Sequence, residues 1–145
     1  MGMIKISKIR KFHYLTYPAI TPIITSGTLD KPDAMAASWV SPLSVDPPLF
    51  GVAVSPRRYT YELIKKYGEF GVCFLPFGMV DIILKVGSVS GRAVNKFEEF
   101  GIKIKRPEKI GAPLIEGSLS ALECKVVKEC DVGDHTFFIG EVVVA

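Results

Sequence analysis

A short basic segment offers the clearest chemistry in the sequence. Ser55, Arg57, Arg58 and Thr60 lie within the stretch Ser-Pro-Arg-Arg-Tyr-Thr. Hydroxyl and guanidinium groups bind phosphate well, because the hydrogen bonds are charge-assisted. A helical pattern follows, and the N–H groups at a helix N-terminus also favour an anion. The segment therefore predicts a phosphate site. The equally favoured alternative is that Thr60 only caps the helix while both arginines are solvated.

A second basic loop has a similar composition. Ser90, Gly91 and Arg92 are followed by Lys96, and Asn95 is a good cap for a helix that begins there. Taken alone, the loop is better explained as a glycine turn with ordinary surface charges. Two such loops in one small domain strengthen the prediction of an anionic ligand.

The residues before the first basic segment predict the elements that position it. Residues 35–41 and 49–54 are expected to form two strands, separated by a corner at Asp46-Pro47-Pro48. Small residues on such strands leave room for a flat ligand. Trp39, Ser38 and Ser41 lie at the end of the first strand. A lone tryptophan is more often part of a core than a platform for ring stacking.

The other periodic segments are mainly of the strand type. Helices are expected over residues 60–67 and 79–86, the first closed by Gly68 and the second by Gly87, and from Asn95 to Gly101. Because strands and helices do not alternate regularly, a single antiparallel barrel over residues 1–145 is favoured over a parallel sheet. The remaining strands are predicted at residues 20–25, 69–75, 102–105, 114–115, 118–128 and 135–144, with a weak one over 3–12.

Composition excludes several classes of protein. The 145 residues are 48% hydrophobic and 23% charged, with a net charge of only +3, which is typical of one globular domain and gives little support to nucleic-acid binding. No apolar run is long enough to span a membrane. Three cysteines without CxxC spacing and two histidines argue against a metal site and favour a reduced, cytoplasmic setting. The apolar ending at Ala145 favours a chain that continues further over an authentic end.

His135 is the one candidate for a catalytic side chain. It follows Asp134 at the start of the last predicted strand, and no nucleophile motif accompanies it. A turn-capping histidine is the somewhat favoured alternative when these residues are considered alone.

Several motifs together resemble the flavin reductase-like family of FMN-binding split barrels. They are Ser-Trp-Val-Ser-Pro at 38–42, Asp-Pro-Pro-Leu at 46–49, Ser-Gly-Arg at 90–92 with Lys-Phe at 96–97, and Gly-Asp-His-Thr at 133–136. The resemblance runs from Tyr17 to Val144. It implies a Greek-key split β-barrel, a homodimer with the flavin near the interface, FMN or sometimes FAD as cofactor, and NADH or NADPH as electron donor. Members include reductases that supply a monooxygenase partner, and flavoredoxin-like electron carriers.

The resemblance also implies a role for each candidate residue. Met35, Ala36, Ser38 and Trp39 would line the isoalloxazine ring, and Ser41 would contact its polar edge or the ribityl chain. The phosphate would be held by Ser55, Arg57, Arg58 and Thr60, with Ser90, Arg92 and Lys96 closing over it. His135 would lie near the nicotinamide. Ala34 stands where many relatives have asparagine, so one side-chain bond to the flavin is expected to be absent.

Three functional hypotheses follow from the resemblance. The first is an NAD(P)H:flavin oxidoreductase that transfers a hydride to FMN, which requires no acid, base or metal from the protein. The second is an FMN-carrying electron-transfer protein without reductase activity of its own. The third is a split barrel that oxidises a small phosphorylated amine. It is disfavoured because no separate basic cluster is available for the substrate phosphate.

Overall fold

The strands and helices were defined from a computed structural model, which describes residues 2, 5 and 7–145. Within those residues the chain forms nine strands and three α-helices, together with two 3-10 segments, Ile9–Thr16 and Phe77–Met79. The helices are α1 (Tyr59–Tyr67), α2 (Val80–Ser88) and α3 (Lys96–Glu99). The strands are β1 (Ile23–Gly27), β2 (Pro32–Ala36), β3 (Val40–Ser44), β4 (Leu49–Val54), β5 (Glu69–Phe74), β6 (Ile104–Lys105), β7 (Leu114–Ile115), β8 (Ser120–Val132) and β9 (His135–Val144).

The main sheet contains seven of these strands among the described residues, in the order β2-β1-β5-β8-β9-β4-β3. Every pairing in it is antiparallel. The two edge strands, β2 and β3, are consecutive in the chain and are joined only by residues 37–39. Because so short a link cannot cross a flat sheet, the sheet must curl until its edges approach each other. This geometry confirms the predicted mainly β, antiparallel barrel.

Apolar side chains are buried on both faces of this curled sheet. Ile24, Val72 and Phe138 belong to one buried cluster, which also includes Ile64 of α1. Ile23 and Cys73 belong to a second cluster, together with buried side chains of α2 and α3. Successive strand residues point to opposite faces, so Ile23 and Ile24 enter different clusters. Both α2 and α3 are therefore held against the sheet on the side where they meet β2.

Several local predictions are confirmed. Gly68 ends α1 with φ +69° and donates its N–H to the Ile64 carbonyl, the left-handed geometry that favours glycine. Asn95 caps α3 by accepting hydrogen bonds from the backbone N–H groups of Phe97 and Glu98. The predicted bounds of β4, β7 and β9 agree with the structure.

Other predictions are wrong. Residues 35–41 do not form one strand, because β2 ends at Ala36 and the chain turns through 37–39 before β3. Thr60 is not the N-cap of α1, since the helix begins at Tyr59 and the Thr60 hydroxyl bonds to Asp33. Gly87 does not end α2, which continues through Ser88. The weak strand over 3–12 is a 3-10 segment from residue 9 onward, and residues 3, 4 and 6 lie outside the described part.

The length and apolar character of each helix decide whether it could cross a membrane. In the described residues, no helix combines the length and the apolar character needed to cross a bilayer.

The reactivity of the cysteine thiols tests how completely the core is packed. Cys73 and Cys124 are fully buried, and burial raises the pKa of both thiols, that of Cys124 to about 12. Because the thiolate is the reactive form, both should resist modification. We expect one thiol per native chain, the half-buried Cys130, to react with Ellman's reagent at pH 8, and all three to react in denaturant. Rapid reaction of two or more thiols in the native protein would contradict this packing.

Candidate functional site

A cavity of about 430 Å³ lies where the end of β2, the start of α1 and the loop after α2 meet. The last turn of α2 and the loop after it contribute residues 86–92, which we call the 86–92 wall. On the opposite side are residues 57–60 at the beginning of α1. The cavity, called here the first cavity, therefore brings together the two basic loops that the sequence singled out. Its lining residues are Asp33, Met35, Ala36, Arg57, Arg58, Tyr59, Thr60, Val86, Gly87, Ser88, Val89, Ser90, Gly91, Arg92 and Lys96.

The first cavity is rich in positive charge. Arg92 forms an ion pair with Glu62, donates to the Arg57 carbonyl at 2.9 Å and lies over the Tyr59 ring. Neither the Arg57 nor the Arg58 guanidinium forms an ion pair within residues 2, 5 and 7–145. These two side chains are thus available to an anion, beside the first N–H groups of α1, which have no partner within the helix.

The floor of the first cavity contains a buried ion pair. The Lys96 ammonium lies 3.6 Å from Asp33, and the two side chains are 5% and 1% exposed. Asp33 accepts a hydrogen bond of 2.7 Å from the Thr60 hydroxyl. Burial lowers the pKa of Lys96, and the nearby Asp33 carboxylate opposes that shift. The Thr60 hydroxyl therefore donates to a carboxylate in this structure, so any contact of Thr60 with a ligand would use its lone pairs or its backbone N–H.

A second cavity of about 250 Å³ adjoins the first and shares Met35, Ala36 and Arg58 with it. Small residues line much of it, and Trp39 supplies the largest ring. The Trp39 ring lies 4.6 Å from the ring of His135, with a tilt of 38° between the two planes. The remaining lining residues are His13, Tyr17, Ala37, Ser38, Ala53, Val54 and Ser55. A basic cavity thus adjoins one lined by small and aromatic side chains.

His135 is oriented by its sequence neighbour. Its Nδ1 lies 2.7 Å from an Asp134 carboxylate oxygen. This hydrogen bond, reinforced by the charge interaction with His135, lowers the pKa of Asp134. The ionised carboxylate accepts, so Nδ1 is the donor.

The structure places nearly all of the candidate residues around these two cavities. Ser41 is the exception: it is exposed on β3, and its hydroxyl donates to the Pro42 carbonyl at 2.8 Å. The sequence prediction missed Asp33, Tyr59, His13 and Tyr17, which also line the cavities. Asp33 lies two positions before the strand predicted over 35–41, and the burial that makes it part of the site is not visible in the sequence. No group of three or more metal-ligating side chains is found in the described residues.

Comparison with known proteins now identifies the family. The family model described as "Flavin reductase like domain" matches residues 14–145. The chain belongs to the flavin reductase-like family. The resemblance read from the sequence motifs is thereby confirmed.

Curated relatives of this flavin reductase-like chain include proteins with and without a named activity. An uncharacterized protein of Archaeoglobus fulgidus is 42% identical over 88% of this chain and 71% of its own length. A ferric-chelate reductase (NAD(P)H) of the same organism is 34% identical, over 83% of this chain and 71% of the relative. The reductase subunit HsaB of a flavin-dependent monooxygenase of Mycobacterium tuberculosis is 32% identical, over 83% and 61% of the two chains.

Solved structures agree with the fold of this flavin reductase-like chain. An FMN-binding protein from Thermus thermophilus superposes with a TM-score of 0.87 at 32% identity, covering 99% of this chain and 80% of the other. Flavoredoxin from Methanosarcina acetivorans superposes with a TM-score of 0.83 at 32% identity, covering 99% and 74%. The predicted split β-barrel is therefore confirmed.

Proposed function

We propose that this chain binds FMN across the two cavities and catalyses the reduction of that FMN by NADH or NADPH. The observation that carries the proposal is that the two cavities adjoin each other. A basic cavity and one lined by small and aromatic side chains meet at Met35, Ala36 and Arg58. A ligand with an anionic end and a planar end fits that arrangement. The names of the ferric-chelate reductase and of the FMN-binding protein support the same assignment.

The residues of the first cavity fit the phosphate end of FMN. Arg57 and Arg58 lack ion-pair partners in the described residues, and the start of α1 offers N–H groups. Ser90 and Arg92 lie on the facing 86–92 wall. A cavity of about 430 Å³ beside one of about 250 Å³ is also of the size usual for cofactor sites. We propose FMN as the flavin on this basis.

The residues of the second cavity fit the ring end. Ala36, Ala37 and Ala53 leave room beside the backbone, and Met35 supplies an apolar side chain shared with the first cavity. Ser38 makes its hydroxyl contact with Tyr17 at 3.2 Å, so the ring would meet this stretch largely through backbone groups. Trp39 is 37% exposed and lies at the edge of the cavity rather than in the core.

In the proposed reaction the protein binds and orients its ligands. When bound, FMN would supply the acceptor for the hydride of NADH or NADPH. Trp39 and His135 form one side of the second cavity and would exclude water from the reacting atoms. Asp134 orients the His135 ring through Nδ1, so Nε2 is the ring nitrogen that would be left to contact the nicotinamide. Arg58, which lines both cavities, would favour negative charge on the ring.

An apolar surface supports the proposal that two copies associate. Ile20 and Phe77 are 72% and 90% exposed, unusually high for such large apolar side chains. They border adjoining apolar cavities, which share Ile20 and Phe74. Surface of this kind is more typical of an interface than of free solvent exposure. We propose a homodimer on this face, and light scattering should give twice the mass of one chain.

A rapid-mixing experiment tests the proposed activity. The FMN-loaded protein is mixed anaerobically with NADH and, separately, with NADPH, while flavin absorbance near 450 nm is recorded. Bleaching within seconds by either nucleotide is expected. A preparation that does not bind FMN would contradict the cofactor assignment itself.

The second candidate is an electron carrier, and the likeness to flavoredoxin favours it. Such a protein would receive electrons from, or pass them to, a protein partner. The same experiment separates the two candidates, because a carrier would hold FMN but bleach with neither nucleotide. A monooxygenase is the partner proposed for the reductase, by analogy with HsaB.

Substitution of His135 tests whether this side chain helps to position the nicotinamide. In the His135→Ala variant, we expect reduction by the better nucleotide to slow by about tenfold, since a lost positioning contact misaligns the reacting atoms. FMN affinity should stay within about twofold, because Arg57 and Arg58 remain. Stopped-flow reduction and an FMN titration measure the two effects. An unchanged reduction rate would remove His135 from the reaction.

A further inference from the structure

Lys96 connects three elements beneath the first cavity. It is the first residue of α3, and its ammonium donates to the Ala34 carbonyl of β2 at 2.6 Å and to the Val86 carbonyl of α2 at 3.0 Å. Val86 lies in the last turn of α2, where carbonyls have no partner within the helix. A cation at this end of a helix is also favoured by the helix dipole. Lys96 therefore caps α2 from a distant point in the sequence and fastens it to β2.

The Asp33 carboxylate is the counter-charge of the Lys96 ammonium. One carboxylate oxygen accepts from Thr60, and the other lies 3.6 Å from the Lys96 ammonium with no hydrogen-bond partner in the described part of the chain. Gly91 of the 86–92 wall packs directly over that second oxygen, which an added Cβ would approach to 2.1 Å. The pair thus contacts both ends of the wall, at Val86 and at Gly91.

We propose that Lys96, with Asp33 as its counter-charge, is a positioning residue that holds the 86–92 wall against β2, and that it does not itself contact the flavin phosphate. This inference rests on the proposed function and refines it. The ammonium donates to two carbonyls and lies 3.6 Å from an Asp33 oxygen. A phosphate would have to compete with these groups at a residue that is 4% exposed. Arg57 and Arg58 offer charge without that cost.

The proposal is tested first without flavin. Lys96→Met keeps the aliphatic stem but removes the cap, so the wall should lie away from β2 most of the time and amide exchange in residues 86–92 should become at least about tenfold faster in the apo protein. The double variant Asp33→Asn/Lys96→Met removes both charges, avoids a lone buried carboxylate and should show the same faster exchange. Lys85→Met is the matched control, because Lys85 is exposed on α2 and, among the described residues, forms an ion pair with Asp81 alone. It should leave exchange unchanged.

The second measurement is a double-mutant cycle on FMN affinity. If Lys96 acts through the wall, Lys96→Met should weaken FMN binding by about tenfold, since a wall in place one tenth of the time lowers affinity by that factor. In the Lys96→Met background, Arg92→Ala should cause little further loss of FMN affinity, so the losses from the two substitutions would not add. A direct phosphate ligand would instead give additive losses.

The outcomes separate this inference from the proposed function. Unchanged apo exchange in both Lys96 variants, or additive losses with Arg92→Ala, would overturn the positioning role while leaving FMN binding intact. A wild-type protein that binds no FMN would overturn the proposed function, and the exchange measurement would still decide whether Lys96 holds the wall. Faster exchange together with non-additive losses supports the inference.

Discussion

The double variant Arg57→Ala/Arg58→Ala is expected to bind FMN about a hundredfold more weakly than the wild type. Both guanidinium groups line the first cavity, and neither forms an ion pair among residues 2, 5 and 7–145. A hydrogen bond to a charged group contributes about 1.5–3 kcal/mol, so losing two should change affinity by two orders of magnitude or more. Titration of flavin fluorescence at fixed ionic strength measures the change.

Riboflavin is the internal control for that prediction. It lacks the phosphate, so its affinity should differ by less than about threefold between wild type and variant. Lys65→Ala/Lys66→Ala is the matched charge control. It removes two cations from the last turn of the same helix, at positions that line neither cavity. An equal loss of riboflavin binding would show that the arginines support the fold of the site rather than hold the phosphate.

The elements predicted correctly from the sequence are those whose signals are local. Gly68 and Asn95 end and begin helices through bonds to residues within four positions of themselves. The strands β4 and β9 are continuous apolar or alternating runs bounded by proline or by a glycine turn. Such patterns depend on short-range sterics and hydrogen bonding, which can be inferred from residues that are neighbours in the sequence.

The errors arise where distant residues decide the outcome. Residues 37–39 could not be recognised as a break between strands, because only closure of the sheet forces the chain to turn there. Thr60 has the residue type of a helix cap, but its hydroxyl donates a hydrogen bond to Asp33, which lies 27 positions earlier. The contacts of Lys96 could not be foreseen either: its role at a ligand stays a prediction, but its ammonium donates to carbonyls 62 and 10 positions away. Partners of this kind are fixed by the tertiary fold.

The same dependence on distant partners makes Glu123 a sensitive position for stability. Glu123 of β8 is 1% exposed, and its carboxylate accepts from the backbone N–H groups of Glu108, Lys109 and Ile110 at 2.7, 2.7 and 3.2 Å. Glu123→Gln turns an amide N–H₂ toward donors and leaves at least one of them unpaired. We expect the free energy of unfolding to fall by about 4 kcal/mol, because the bonds lost are charge-assisted and largely buried. Urea denaturation measures it.

Glu69 supplies the matched comparison for Glu123. It lies on the neighbouring strand β5, is only half-buried and accepts from the single N–H of Gly111 in the same loop. Glu69→Gln should therefore cost about 1 kcal/mol, a quarter of the loss at Glu123. Neither glutamate lines the two cavities, so FMN affinity should be unchanged in both variants below their unfolding transitions. Equal losses of stability would show that neither the burial of the carboxylate nor the number of amides it accepts from determines its contribution to folding.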